Sequence, residues 1–216
     1  MRLHRITALL TLTALLVACE TVEGSGVAAT ETRQIDAEFD GVIVEGGVRA
    51  DVVAGRTQRV TLTADDNVLP RVWTNVDSRS LNVEPSVTVE VVTPIELAVD
   101  MDAIAFVSAR EVGSVIVAYG VDAERLGIGA SDGAYAQADG RCDSLTAIAS
   151  RNGTVFAPEL ECVDATIHAQ DGSTVEIRAS GRVEVNASGE SEIILHGSPT
   201  EVVEYLTDGS VITRVP

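Results

Sequence analysis

The stretch IASRNGTV, from Ile148 to Val155, has relatives throughout the second half of the chain: IGASDGAY around Gly133, IHAQDGST around Gly172, NASGES around Gly189 and LTDGSV around Gly209. Glycines 113, 133, 153, 172, 189 and 209 stand 20, 20, 19, 17 and 20 residues apart, and four of the six follow Asp or Asn. Asp-Gly and Asn-Gly tolerate positive φ, so they mark a sharp corner at one point of every unit. Neighbours of the corner recur too. Ile128, Ile148 and Ile167 each precede a corner glycine by five, and Val115, Tyr135, Val155 and Val175 lie twenty apart.

A unit of this length made only of strand and turn cannot bury its own apolar face and must stack on copies of itself. The spacing therefore predicts an all-β fold: a right-handed parallel β-helix-like solenoid of rungs about 20 residues long, with equivalent residues in ladders about 4.8 Å apart. Val115, Tyr135 and Val155 are expected in one column. One-residue slips near Gly172 and Gly189 fall at corners, where they are tolerated; inside a strand they would turn the buried face outward. A β-propeller competes, but its blades need about 40 residues each.

Upstream, from 35 to 100, period-two alternation predicts short strands at Val42 and Val44, at Val48, Ala50 and Val52, at Val60, Leu62 and Ala64, and onward to Ile95, Leu97 and Val99. Gly46-Gly47 suits a hairpin turn, and Pro70, Pro85 and Pro94 act as breakers. DDNVLPRVW, Asp65–Trp73, can form one helical turn capped by Asp65 or Asp66. The expected organisation is a short-strand β region over 35–100 followed by solenoid repeats over 101–216.

The N-terminus carries an export signal over 1–18: Arg2 and Arg5, then an apolar run from Ile6 to Ala18 too short to span a bilayer. LVAC, Leu16–Cys19, resembles the lipobox of bacterial lipoproteins, in which the cysteine is acylated and becomes the new N-terminus; an ordinary secretory cleavage site is the alternative. Several acyl chains on Cys19 would anchor stably. Glu20 after it resembles outer-membrane sorting in Gram-negative bacteria. Residues 19–34 are small and polar and read as a flexible tether.

Removal of residues 1–18 leaves 13 basic residues against 33 acids, a charge of −20; all the basic residues are arginines. Such a surface repels nucleic acid and acidic polysaccharide. Aromatic residues are 3% of the chain, so the core must be Val, Ile, Leu and Ala. Cys142 and Cys162 lie twenty apart, each nine after a corner glycine, and adjacent in-register rungs would bring them within disulfide range in an oxidising compartment. Two stacked buried thiols would fit the same register.

A lipobox, then FDGVIVEGGVRADVVAG (Phe39–Gly55), VTLTADDNVLPRVWTNVDSRSLNV (Val60–Val83), glycine corners ending in GSP (Gly197–Pro199) and a last DGSV together resemble the putative auto-transporter adhesin, head GIN domain family, over about 35–215. The resemblance implies a β-helix-like protein of the bacterial envelope with a role in adhesion, and brings no catalytic residues.

The residues themselves point the same way. His168 and His196 have no Cys or His in metal-ligand spacing, and the corner serines suit turns better than nucleophilic attack. A polysaccharide lyase or hydrolase would need paired carboxylates, or acids holding calcium; Asp65, Asp66, Asp100 and Asp102 are the weak candidates, and no metal or other cofactor is expected. Corner residues Asp132, Asn152, Asp171 and Asp208 are candidate surface contacts, equally explained as turn formers. The expected function is non-enzymatic binding by an anchored protein, to a glycan or an envelope protein. A purely structural envelope protein is the other alternative to an enzyme.

Overall fold

A computed structural model describes residues 21–216. The chain enters through β1 (Thr21–Glu23) and β2 (Ala28–Arg33), then β3 (Gly41–Val44), β4 (Arg49–Val53) and β5 (Arg59–Asp65). A 3-10 turn at Leu69–Arg71 leads to β6 (Val72–Asp77), β7 (Ser80–Pro85), β8 (Thr88–Glu90) and β9 (Glu96–Asp100). The second half holds β10 (Phe106–Arg110), β11 (Val115–Ser131), β12 (Tyr135–Ser150), β13 (Thr154–Ala169), β14 (Thr174–Ala179), β15 (Arg182–Ala187), β16 (Glu192–His196), β17 (Glu201–Leu206) and β18 (Val211–Val215).

These strands stack as a parallel β-solenoid of about six turns, about 20 residues apart. One face runs β18-β16-β14-β13-β12-β11-β4-β9, and the other β17-β15-β13-β12-β11-β10-β3-β7. The long strands β11, β12 and β13 bend and serve both. In β11 and β12 the bend falls at Gly120 and Gly140, whose φ values of 66° and 117° favour glycine. Region 35–100 thus continues the stack, with β3–β4 and β7–β9 forming layers beyond β10–β11.

Alternation along each strand buries one side of the pleat. On the first face a buried column runs Leu97, Ala50, Ile116, Ala136, Val155, Val175 and Ile193, ending at the partly buried Ile212. On the second it runs Leu81, Val42, Val107, Ile128, Ala147, Ile167 and Val185. Alanines set between larger residues let successive layers interlock in a core nearly free of aromatic rings.

The expected column of Val115, Tyr135 and Val155 does not form. Val115 stands on Tyr135, but Tyr135 stands on Thr154, and Val155 lies one position along, buried over Ala136. The cause is at the opening stretch of sequence. The corners at Asp132-Gly133 and Asp171-Gly172 use two successive positive φ values, 57° and 77°, then 56° and 70°; the intervening corner uses Arg151 and Asn152 at 47° and 61° instead. Gly153 is needed for another reason: a Cβ there would lie 2.3 Å from the Ala130 carbonyl oxygen. The slip stays in the corner, so the buried face remains buried.

Three further expectations are corrected. Gly46-Gly47 is a coil corner, not a hairpin, because β3 and β4 pair with β7 and β10 and with β9 and β11, and not with each other. The helical turn exists, but Val68 occupies its cap without a side-chain bond, and neither Asp65 nor Asp66 caps it. Residues 21–33 are not a flexible tether: β1 pairs in parallel with β8, and all six residues of β2 pair antiparallel with β5. The small polar composition suggested slack, but each threonine-rich strand finds an open edge to complete.

The two ends of the stack differ. At the N-terminal end, antiparallel β5 and β2 finish the first face and β6 the second. At the C-terminal end two core positions become charged: Glu204 stands over Val185 and Arg214 over Leu195, and the two form an ion pair.

Candidate functional site

The candidate contact residues Asp132, Asn152, Asp171 and Asp208 all have positive φ and lie along one line of corners. Backbone bonds join the corners in succession: Gly133 N–H donates to Arg151 O (3.0 Å), Asn152 N–H to Asp171 O (2.9 Å), Gly172 N–H to Gly189 O (2.7 Å) and Glu190 N–H to Asp208 O (2.8 Å). The arrangement is an exposed, mostly acidic ridge. Glu190, at φ 60°, belongs to it; the sequence pattern missed it by looking before the glycine, whereas Gly189 takes the first of the two left-handed positions here. Arg151 grips both carboxylate oxygens of Asp132, and this bond, with a smaller one from Ser131, lowers the Asp132 pKa to about 2. The ridge thus carries fixed negative charge with one neutralised rung.

The serines just behind the corners serve the backbone. Ser114 Oγ accepts from Gly47 N–H (3.0 Å), Ser173 Oγ accepts from Gln170 N–H (3.0 Å) and donates to Ala149 O (3.1 Å), and Ser191 Oγ donates to Ser188 O (2.7 Å). All three are buried, so they satisfy corner groups that water cannot reach.

The outer side of the first face carries a half-buried strip. Tyr135 and Phe156 stack at 6.3 Å between centroids, Tyr135 O–H donates to Gln137 Oε1 (3.1 Å), and Glu176 meets His196 Nε2 at 2.7 Å on the next layers. Burial and then the charge of Glu176 push the Tyr135 phenol up, so it stays a neutral donor. Val117 and Ile194 extend the strip along the register that joins Gln137, Phe156 and Glu176.

Cys142 and Cys162 are joined by a disulfide between β12 and β13, with Cα atoms 4.5 Å apart. It forms part of the wall of a cleft of about 450 Å³ shared with Asp122, Arg141, Asp143, Glu161 and Arg178. Arg141 Nε donates to Asp122 Oδ1 (3.0 Å), and Arg178 Nε donates to Pro158 O (2.9 Å).

The four acids considered for metal or acid–base chemistry are not brought together. Asp65 is fully buried; burial alone would raise its pKa, but bonds from Val92, Thr93 and Gly26 hold the carboxyl below the usual range. Asp66 accepts from Ser25 Oγ (2.6 Å). Asp100 lies opposite Arg59, at the far end of β5 from Asp65, and pairs with Arg56 at 2.9 Å. Asp102 is exposed. Among the described residues no three His, Cys, Asp or Glu side chains are grouped to hold a metal ion. His168 is exposed. Cys19, the candidate lipidation site, lies outside the described residues.

Over residues 38–199 the chain matches the family described as "Putative auto-transporter adhesin, head GIN domain", and it belongs to that family. Its fold is shared by a crystal structure of a putative adhesin from Parabacteroides merdae, 16% identical, covering 91% of this chain and 99% of that one at a TM-score of 0.65. A putative adhesin from Bacteroides fragilis is 15% identical and covers 89% of this chain and 98% of its own, at a TM-score of 0.63. A structure from Parabacteroides distasonis described as a putative lipid binding protein is 13% identical, covering 91% of this chain and all of that one at a TM-score of 0.57. No curated protein matches the sequence.

Proposed function

Starting from that family membership, we propose that the mature chain is a non-enzymatic binding protein of the bacterial envelope, anchored in the outer membrane of a Gram-negative organism through lipid on Cys19. Its partner is an extended one, a glycan or another envelope protein. The observation that carries this reading is the flat outer strip of the first face, where Tyr135 and Phe156 stack beside Gln137, Glu176 and His196. Successive layers about 4.8 Å apart offer an extended ligand contacts at a regular spacing. Aromatic rings supply contact area at low entropy cost, and the amide and carboxylate beside them supply directional bonds. Corner residues Asp132, Asn152, Asp171 and Asp208 border the repeat and, with a charge of −20, disfavour polyanionic partners.

The test is a glycan array, run with the purified mature protein and its Phe156→Ala variant, alongside capture of native envelope proteins and a reducing-end assay on every sugar retained. Binding that the variant weakens, with no new reducing ends, supports the proposal. Released product would move the protein among polysaccharide-acting enzymes, and equal binding by both forms would remove the strip as the site.

A further inference from the structure

A single residue, Glu20, stands between Cys19 and the first paired residue of the folded body. Thr21, two residues on, is already paired with Thr88, and Val22 and Glu23 follow with Val89 and Glu90. Gly24 N–H then donates to Glu90 O (2.8 Å). Asp65 closes the segment from inside, its carboxylate accepting from Gly26 N–H (3.1 Å), Val92 N–H (2.9 Å) and Thr93 N–H (3.2 Å). Space there is so tight that a Cβ on Gly24 would lie 1.9 Å from Asp65 Oδ2. Asn67 adds a second catch: its Oδ1 accepts from Ser25 N–H (2.9 Å) and its Nδ2 donates to Glu23 O (2.8 Å). The sequence Asp65-Asp66-Asn67 is therefore a clasp on the entering chain, and at about 3.6 Å per residue Cys19 lies within about 7 Å of Thr21.

Apolar side chains stand exposed on the two segments the clasp holds together. Val27 is 58% exposed and Val92 67%, with Val91 beside it. A Cβ on Gly26 would meet Val92 Cγ1 at 3.7 Å, so the valine lies against the entering chain. Trp73, 61% exposed, is on β6, the outermost strand of the second face at the same end of the stack. Surface valines beside a lipid attachment point have a natural apolar neighbour, and tryptophan favours the boundary between water and lipid. With a net charge of −20 that neighbour is a zwitterionic bilayer rather than an anionic one.

We propose that the clasp fixes orientation: the acylated protein is moored with the β1–β8 end of its stack against the bilayer, Val27, Val91 and Val92 meeting the interface, and the last coil pointing away. Along the first face β18 lies nine strand steps from β2, about 43 Å at about 4.8 Å per step. This rests on the lipoprotein reading of Cys19, and the experiment separates the two.

Acylated full chain is reconstituted into phosphatidylcholine vesicles with an environment-sensitive dye on Val92→Cys or, separately, on Tyr205→Cys, and quenched by a lipid carrying a nitroxide near the headgroup. Mass spectrometry of Cys19 and flotation with vesicles come first; absence of acyl mass would defeat the anchor and, with it, the mooring. Given acylation, the dye at 92 is expected to be quenched severalfold more than the dye at 205, and a long glycine-serine insert between Glu20 and Thr21 should bring the two together. Equal quenching without the insert, or an insert with no effect, would overturn the orientation while leaving the anchor intact. A dye at 92 shielded in the Cys19→Ser protein without vesicles, increasingly with concentration, would assign the patch to a second copy and overturn the bilayer.

Discussion

At its N-terminal end the stack is finished by backbone. β5 and β2 run antiparallel along the first face, β6 along the second, and the buried Asp65 ties the entering chain to the loop after β8. At the C-terminal end side chains do the closing: Glu204 and Arg214 stand over the core positions Val185 and Leu195 and pair with each other, beside the half-covered Val202, Leu206 and Ile212. Parallel strands leave unpaired edges that invite other chains, and proteins blunt them either with a covering strand or with inward charge. This molecule uses one device at each end. A covered end adds apolar burial and order, whereas a charged end adds protection with little stability.

The sharpest way to break that contrast is to truncate a core side chain at each end. Leu97→Ala, at the covered end, should cost about 2–5 kcal/mol in urea unfolding, while Ile212→Ala in the last coil should cost about 1 kcal/mol or less. Equal losses would mean that both ends are equally well packed. Between them lies the disulfide. Reducing Cys142–Cys162, or replacing both with alanine, should lower stability by about 3 kcal/mol for a loop of this length, read as a fall in Tm that reductant causes only in the parent protein.

Acid sharpens the comparison further. Asp65 is held below the ordinary carboxylate range, so its stabilising contribution is complete above a pH of about 4 and is lost as pH falls through the lowered folded value. Asp65→Asn should therefore lower Tm at neutral pH, and its gap from the parent should narrow in acid. Asp132, at about 2, has the same sign over the window from about pH 4 to 2. A gap that widened on acidification would contradict the clasp. The smallest expected change in stability, about 1 kcal/mol or less, belongs to Glu204→Leu combined with Arg214→Leu, since the pair is largely exposed. Its effect should appear instead in light scattering, as concentration-dependent association through the uncovered coil.

The fold was legible where local chemistry repeats. Corner glycines preceded by Asp or Asn announced the coil, and alternation at Val42 and Val44, at Val48, Ala50 and Val52, and at Val60, Leu62 and Ala64 announced the buried sides of the upstream strands. The exact column was not legible, because Arg151-Asn152 and Asp132-Gly133 can both make a corner, and only contact with Ala130 shows why Gly153 sits where it does. The N-terminal clasp was hidden for a different reason. Thr21–Arg33 is small and polar, as a linker would be, and its order comes from partners 27 to 67 residues further along the chain. Asp65 looked like a helix cap or a metal ligand because both use an exposed acid before a turn, and sequence carries no sign that the carboxylate points inward. For the half-buried strip on the first face, Tyr135 and Phe156 were visible as residues, but their stacking depends on the one-residue slip between them.

Because the ends close independently, nothing in the middle of the molecule fixes how long it must be. A coil duplicated between β11 and β16 would find the same alanine and valine neighbours above and below, and both terminal devices would be untouched. Each addition of roughly 20 residues would raise the tip by about 4.8 Å. Reach is thus adjustable in small increments by gene duplication, which suits the proposed mooring of one end at a bilayer.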